Sequence, residues 1–117
     1  MNNIYGINIP RPEDFQSILG CDSYLDEDLN QICSLTDLRN RRLTLVFSHL
    51  SRRFSLDLKE DNSNIINIYN ELLNSVDLSN DGSNILIEFK VGLITQKLEI
   101  IPWPNVIINY TSFDTEG

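Results

Sequence analysis

Four carboxylates stand within seven positions of this sequence: Asp22, Asp26, Glu27 and Asp28. Such a cluster can bind Ca²⁺ or Mg²⁺, can favour the start of a helix, or can form a surface for a basic partner. Three of them are consecutive, so their side chains point in different directions, and the alternate ligands and turning glycine of a calcium loop are absent. We therefore predict an exposed acidic surface, at a helix start or in a loop, that binds a partner protein without metal or cofactor.

Few other residue types could carry out catalysis. His49 is the only histidine, and its position among alternating apolar residues favours a structural role over that of a general base. Cys21 and Cys33 lack the spacing of a redox pair or a zinc site, which predicts two unpaired thiols. The sequence also has no phosphate-binding loop, nucleophile elbow or HExxH motif. We expect a protein that is not an enzyme, although a carboxylate-based enzyme stays open as a hypothesis.

Five of the nine basic residues fall in one short stretch, namely Arg39, Arg41, Arg42, Arg52 and Arg53. If residues 42–59 form a hairpin of two strands, Arg41 and Arg42 lie at its entry and Arg52 and Arg53 lie just past its turn. These pairs mark opposite ends of the hairpin, so they need not form one nucleic-acid patch. We predict that they form ion pairs with the acidic segment.

Trp103 lies between two prolines, which restrict its backbone. A tryptophan held in this way is either a core residue or an interface anchor, and the sequence favours the core.

The net charge is -8 for 117 residues. This charge opposes binding to nucleic acid or to an anionic membrane, and it is compatible with a basic partner or with solubility alone. Apolar runs are too short for a transmembrane helix, and the N-terminus does not resemble a signal peptide. We expect a cytoplasmic protein.

The predicted elements begin with a short helix, which Pro12 starts and Gly20 ends. Period-two alternation predicts a hairpin of two strands in residues 42–59. A longer helix is predicted over residues 60–76, because an apolar stripe runs along it at helical spacing, made of Ile65, Ile68, Tyr69, Leu72 and Leu73. Three strands follow in residues 84–91, 93–101 and 106–113, the first two joined at Gly92.

Residues 25–38 fit two patterns. Leu25, Leu29, Ile32 and Cys33 have helical spacing, whereas a strand from about Gln31 to Leu38 agrees with the turn-like residues that follow it. The sequence as a whole predicts a single α+β domain over residues 1–117. It would contain an antiparallel sheet of five or six strands, a short N-terminal helix and one longer helix packed on a face.

This order of elements resembles that of bacterial immunity proteins from contact-dependent growth inhibition and other polymorphic toxin systems. The resemblance rests on the glycine-ended helix PEDFQSILG, the acidic turn after it and the paired strands LTLVF and FSLDL, and it covers roughly residues 12–113. It implies a protein that binds one cognate toxin, often a basic nuclease, and covers its active site or substrate groove. We expect the protein to be a monomer. The alternative is a small acidic secretion chaperone or adaptor.

Overall fold

The computed structural model describes residues 8–114, which form one helix and nine strands. Helix α1 spans Pro12–Leu19, and the strands are β1 Asp22–Leu25, β2 Asn30–Thr36, β3 Arg42–Ser48, β4 Phe54–Glu60, β5 Ser63–Asn70, β6 Leu73–Leu78, β7 Ile85–Val91, β8 Ile94–Ile101 and β9 Ile107–Asp114. Strands β1 to β5 form one antiparallel sheet in chain order, which we call sheet A. Strands β6 to β9 form a second antiparallel sheet, sheet B.

The short N-terminal helix is confirmed at both ends. Pro12 occupies the first turn, where its missing N–H costs no helical hydrogen bond, and Asp14 accepts the backbone N–H of Arg11 at 3.0 Å. Gly20 ends the helix in the left-handed conformation (φ 70°), which glycine adopts without steric cost. The helix buries Phe15 and Leu19 against sheet A.

Four phenylalanine rings connect the layers of the core. Phe15 of α1 stacks on Phe47 of β3 with ring centroids 5.8 Å apart. Phe47 contacts Phe54 of β4 at 5.4 Å, and Phe54 contacts Phe89 of β7 at 5.6 Å. All four are almost fully buried, and each stabilises the fold by roughly 1.5–3 kcal/mol. Helix α1 and sheet B therefore pack on the same face of sheet A, which leaves the opposite face outward.

The predicted α+β fold class is wrong. The protein is mostly β, with two sheets in place of one sheet of five or six strands. The longer helix over residues 60–76 is also absent, because this segment forms β5 and β6. Its Ile and Asn residues have low helix propensity, and Ile favours strands. Asp61 and Asn62 both have positive φ (51° and 65°), which makes the two-residue turn of a tight hairpin between β4 and β5.

In residues 25–38 the strand alternative is correct for the second half, which forms β2. The helical alternative is wrong, since β1 precedes β2 and pairs with it from Asp22–Ser34 to Leu25–Gln31. The hairpin of β3 and β4, and the three strands β7, β8 and β9, agree with the sequence-based prediction.

A buried carboxylate connects the two sheets. Asp37, in the turn between β2 and β3, has no exposed side-chain surface and forms an ion pair with Arg41 at 3.0 Å. One of its oxygens accepts the backbone N–H groups of Arg39 and Arg41, and the other accepts the N–H of Val106 just before β9 at 2.9 Å. Burial raises the pKa of Asp37, but these N–H groups and the Arg41 guanidinium outweigh it, so the pKa lies below its usual value.

We expect Asp37→Ala to lower the free energy of unfolding by about 3–5 kcal/mol, because it leaves the Arg41 cation and several N–H groups without their acceptor. Urea denaturation at neutral pH measures this loss. Because the folded-state pKa is depressed, the wild-type contribution is present above the unfolded pKa of about 3.9 and is lost as the pH falls below it.

The matched control is Asp77→Ala, which removes an exposed carboxylate from β6 and should change the free energy of unfolding by no more than about 0.5 kcal/mol. Equal unfolding midpoints for the two variants would show that Asp37 does not hold the sheets together.

Candidate protein-binding surface

The four predicted partner-binding residues lie along one edge of sheet A. Asp22 is exposed at the start of β1, and Glu27 and Asp28 are exposed in the turn between β1 and β2. Since β1 has four residues, the two ends of this edge are roughly 10 Å apart. The structure therefore brings Asp22, Glu27 and Asp28 to one side of the sheet, with Asp26 between them. We call residues Asp26–Asp28 the acidic turn.

Asp26 differs from its neighbours, because its carboxylate is used inside the turn. One oxygen accepts the backbone N–H groups of Asp28 and Asn30, both at 2.9 Å. The backbone N–H of Asp26 also donates to the Asn30 carbonyl at 3.0 Å, and Leu29 takes a positive φ of 60° to close the turn. Asp26 is half-buried, so it shapes the acidic turn while Glu27 and Asp28 present charge to solvent.

The neighbouring turn between β3 and β4 supports the acidic turn. The backbone N–H of His49 donates to the Leu29 carbonyl at 3.0 Å. The imidazole Nε2 of His49 donates to the side-chain oxygen of Gln31 at 2.9 Å. The side-chain amide nitrogen of Gln31 in turn donates to the Pro10 carbonyl at 2.6 Å. Burial lowers the pKa of His49, which favours the neutral ring. The structural role predicted for His49 agrees with this network.

The basic cluster lies at two separate places in sheet A, and its ion pairing with the acidic segment stays a prediction. Arg41 of this cluster forms an ion pair with Asp37, which lies outside residues 22–28. Arg42 begins β3 and is exposed opposite Lys59 of β4, whereas Arg52 and Arg53 lie in the turn at the other end of that hairpin. The cluster is therefore split between two ends of sheet A.

Trp103 is not a core residue, which corrects the prediction. It is 37% exposed, and its indole N–H donates to the Leu19 carbonyl at the end of α1 at 3.0 Å. The side chain thus connects the segment between β8 and β9 to the helix.

The two cysteines are buried and free, with their Sγ atoms 2.9 Å apart. Within residues 8–114, no three His, Cys, Asp or Glu side chains are grouped so that they could hold a metal ion. Over the same residues, no helix is both long enough and apolar enough to cross a membrane.

The outward face of sheet A carries a line of side chains that the sequence did not reveal. The strand register aligns Tyr24, Ile32, Val46, Ser55 and Tyr69 across β1 to β5, one residue per strand. We call these five residues the tyrosine row. The two tyrosines at its ends are 55% and 56% exposed, and the three central residues are half-buried. Alternation along β3 and β4 could have located its centre, but Tyr69 fell in the segment predicted as a helix, and the residues around Tyr24 were not predicted as a strand.

No protein-family model matches this chain, and no curated protein sequence matches it. Among solved structures, the fold is similar to that of a chain in the contact-dependent growth inhibition toxin–immunity protein complex from Klebsiella pneumoniae 342. The TM-score is 0.75 with 15% sequence identity, over 89% of this chain and 95% of that chain. The resemblance inferred from the sequence is thereby confirmed at the level of a shared fold, whereas the α+β class predicted for that fold was wrong.

We expect Asp26→Ala to lower the free energy of unfolding by about 1–2 kcal/mol, because two backbone N–H groups of the turn lose their acceptor. Glu27→Ala and Asp28→Ala remove the same charge from the same turn and should each change it by less than about 0.5 kcal/mol. Urea denaturation of the three variants checks this difference. A loss for Glu27→Ala as large as that for Asp26→Ala would contradict the structural role of Asp26.

Proposed function

We propose that this protein is an immunity protein of a contact-dependent growth inhibition system, which binds one cognate toxin and neutralises it. The observation that carries the proposal is the fold, which is shared with a chain of a toxin–immunity protein complex over nearly the whole length of that chain. The proposal includes a cytoplasmic location and a complex of one toxin with one copy of this protein.

The charge favours the immunity protein over the toxin of such a pair. The sequence contains seventeen acidic and nine basic residues. A protein with this excess of negative charge repels the phosphates that a nuclease must bind. The single histidine, His49, is hydrogen-bonded to Gln31, and burial lowers its pKa. These features agree better with an inhibitor than with an enzyme that acts on nucleic acid.

The acidic edge of sheet A suggests how a basic toxin would be recognised. The exposed carboxylates of Asp22, Glu27 and Asp28 can attract a cationic groove of the toxin. They would then occupy the positions in that groove at which substrate phosphates bind. Asp26 contributes indirectly, because it fixes the turn that presents Glu27 and Asp28. In this proposal the toxin is a nuclease whose active site or substrate groove is covered by the acidic surface.

The test of the proposal is a pull-down with the tagged protein, co-expressed with the polypeptide encoded immediately upstream of it. The expected result is a stoichiometric complex with a basic C-terminal fragment, together with growth of cells that would otherwise be inhibited by that fragment. If this protein elutes alone and does not restore growth, the immunity function is wrong.

We expect the triple variant Asp22→Asn, Glu27→Gln, Asp28→Asn to fold normally and to associate with that polypeptide roughly ten-fold more slowly at low salt. The difference should shrink at high salt, because mobile ions screen exposed charges. Stopped-flow measurements at two salt concentrations provide the rates. Asp26 is kept in this variant so that the turn stays intact.

The matched control changes three exposed carboxylates elsewhere, as Glu60→Gln, Asp77→Asn and Asp81→Asn, and gives the same net charge. It should associate several-fold faster than the triple variant. Equal rates for the two would mean that overall charge, and not the acidic edge of sheet A, steers association.

A further inference from the structure

The outward face of sheet B carries paired polar side chains as well as exposed apolar ones such as Leu86 and Phe113. On sheet B the register aligns Glu88 with Lys97, so opposite charges lie side by side. Glu99 on the same face accepts amide hydrogens from Asn84 and Asn109 at 3.1 and 3.2 Å. The polar groups of sheet B therefore interact with one another along its outward face.

The outward face of sheet A carries the tyrosine row. Ile32 and Val46 lie beside each other at its centre, and neither is fully buried although both are apolar. Since neighbouring strands are about 4.8 Å apart, the row spans roughly 19 Å from Tyr24 to Tyr69. A row of this kind on a sheet face, apolar apart from Ser55 and with aromatic rings at both ends, is typical of a surface that another protein covers.

Each tyrosine also borders a hollow in the surface. Beside Tyr24 is a hollow of about 500 Å³, lined by Asp22, Ile32, Thr44 and Arg42 among others. Beside Tyr69 is one of about 180 Å³, which Val46, Ser55 and Arg53 help to line. Interface residues that contribute most to affinity are often tyrosines next to such hollows, because a rigid ring loses little entropy on binding.

Arg42 and Arg53 border the hollows at the two ends of the row, and the two edge strands of sheet A differ in charge. The edge at β1 carries the exposed carboxylates of Asp22, Glu27 and Asp28. Strand β5, at the other edge, has no charged residue over Ser63–Asn70. A partner that matches this face needs apolar side chains at its centre and Lys or Arg on the side that meets β1.

We propose that the tyrosine row is the surface on which the cognate toxin docks, with its apolar centre over Ile32 and Val46 and its cations toward the acidic edge. This inference rests on the proposed immunity function and extends it, because it names the face that binds. The acidic edge then acts at the border of the interface, and the two tyrosines act within it.

The experiment measures binding of the upstream-encoded polypeptide to Tyr24→Ala, Tyr69→Ala and the double variant by surface plasmon resonance. Each single change should raise Kd about ten-fold or more, chiefly through faster dissociation, and the double change should raise it further. Ser55→Arg, at the centre of the row, should weaken binding by adding a cation that faces a basic partner. Circular dichroism melts show whether each variant is folded.

Phe113→Ala is the matched control, because Phe113 is an aromatic residue of sheet B with 45% exposure. Its Kd should equal that of the wild type. The inference is overturned if the wild type binds and all three changes in the row leave Kd unaltered, and also if Phe113→Ala weakens binding as much as the tyrosine changes do. A wild-type protein that does not bind the polypeptide contradicts the immunity function itself.

Discussion

The arrangement of the two sheets depends on the carboxylate of Asp37. It lies where the turn between β2 and β3 meets the segment that leads into β9, and it accepts hydrogen bonds from both. Arg41 adds a second connection, because its guanidinium binds Asp37 and also donates to the Val106 carbonyl at 2.9 Å. Since the carboxylate is fully buried, its charge is tolerated only while all of these donors remain in place. These hydrogen bonds therefore hold the segment before β9, in sheet B, against the turn between β2 and β3, in sheet A.

The segment between β8 and β9 extends this connection to the helix. The Pro104 carbonyl accepts the N–H of Leu38, next to Asp37, and Trp103 donates to the Leu19 carbonyl. The inner face of sheet A is thereby closed by α1 and by sheet B, with the four phenylalanine rings between them. The side chains on the outward face of sheet A contribute little to the core, so packing of the core does not restrict which residues occupy that face.

The sequence predicted most strands of this fold but failed where two periodicities coincide. In residues 60–76, Ile65, Ile68 and Tyr69 have helical spacing, yet Ile66 and Ile68 alternate at period two and pack toward the core. The Asp61–Asn62 pair was the local signal for a hairpin, since both residues tolerate positive φ. The same error concealed the tyrosine row, because a row across five strands exists only once their register is known. Asp26 could not be separated from Glu27 by residue type, since the hydrogen bonds that distinguish them arise from the turn.

The two parts of the proposed interface would act at different stages of binding. Exposed carboxylates exert their field over about a Debye length, close to 10 Å at 0.1 M salt, so they influence a basic partner before contact. The tyrosine row acts only after water has been excluded, because its contribution comes from the burial of rings and apolar side chains. An acidic edge alone would attract many basic proteins. The shape and register of the row would therefore determine which of them remains bound, and the selectivity of an immunity protein for one toxin would depend on the sheet more than on the charge.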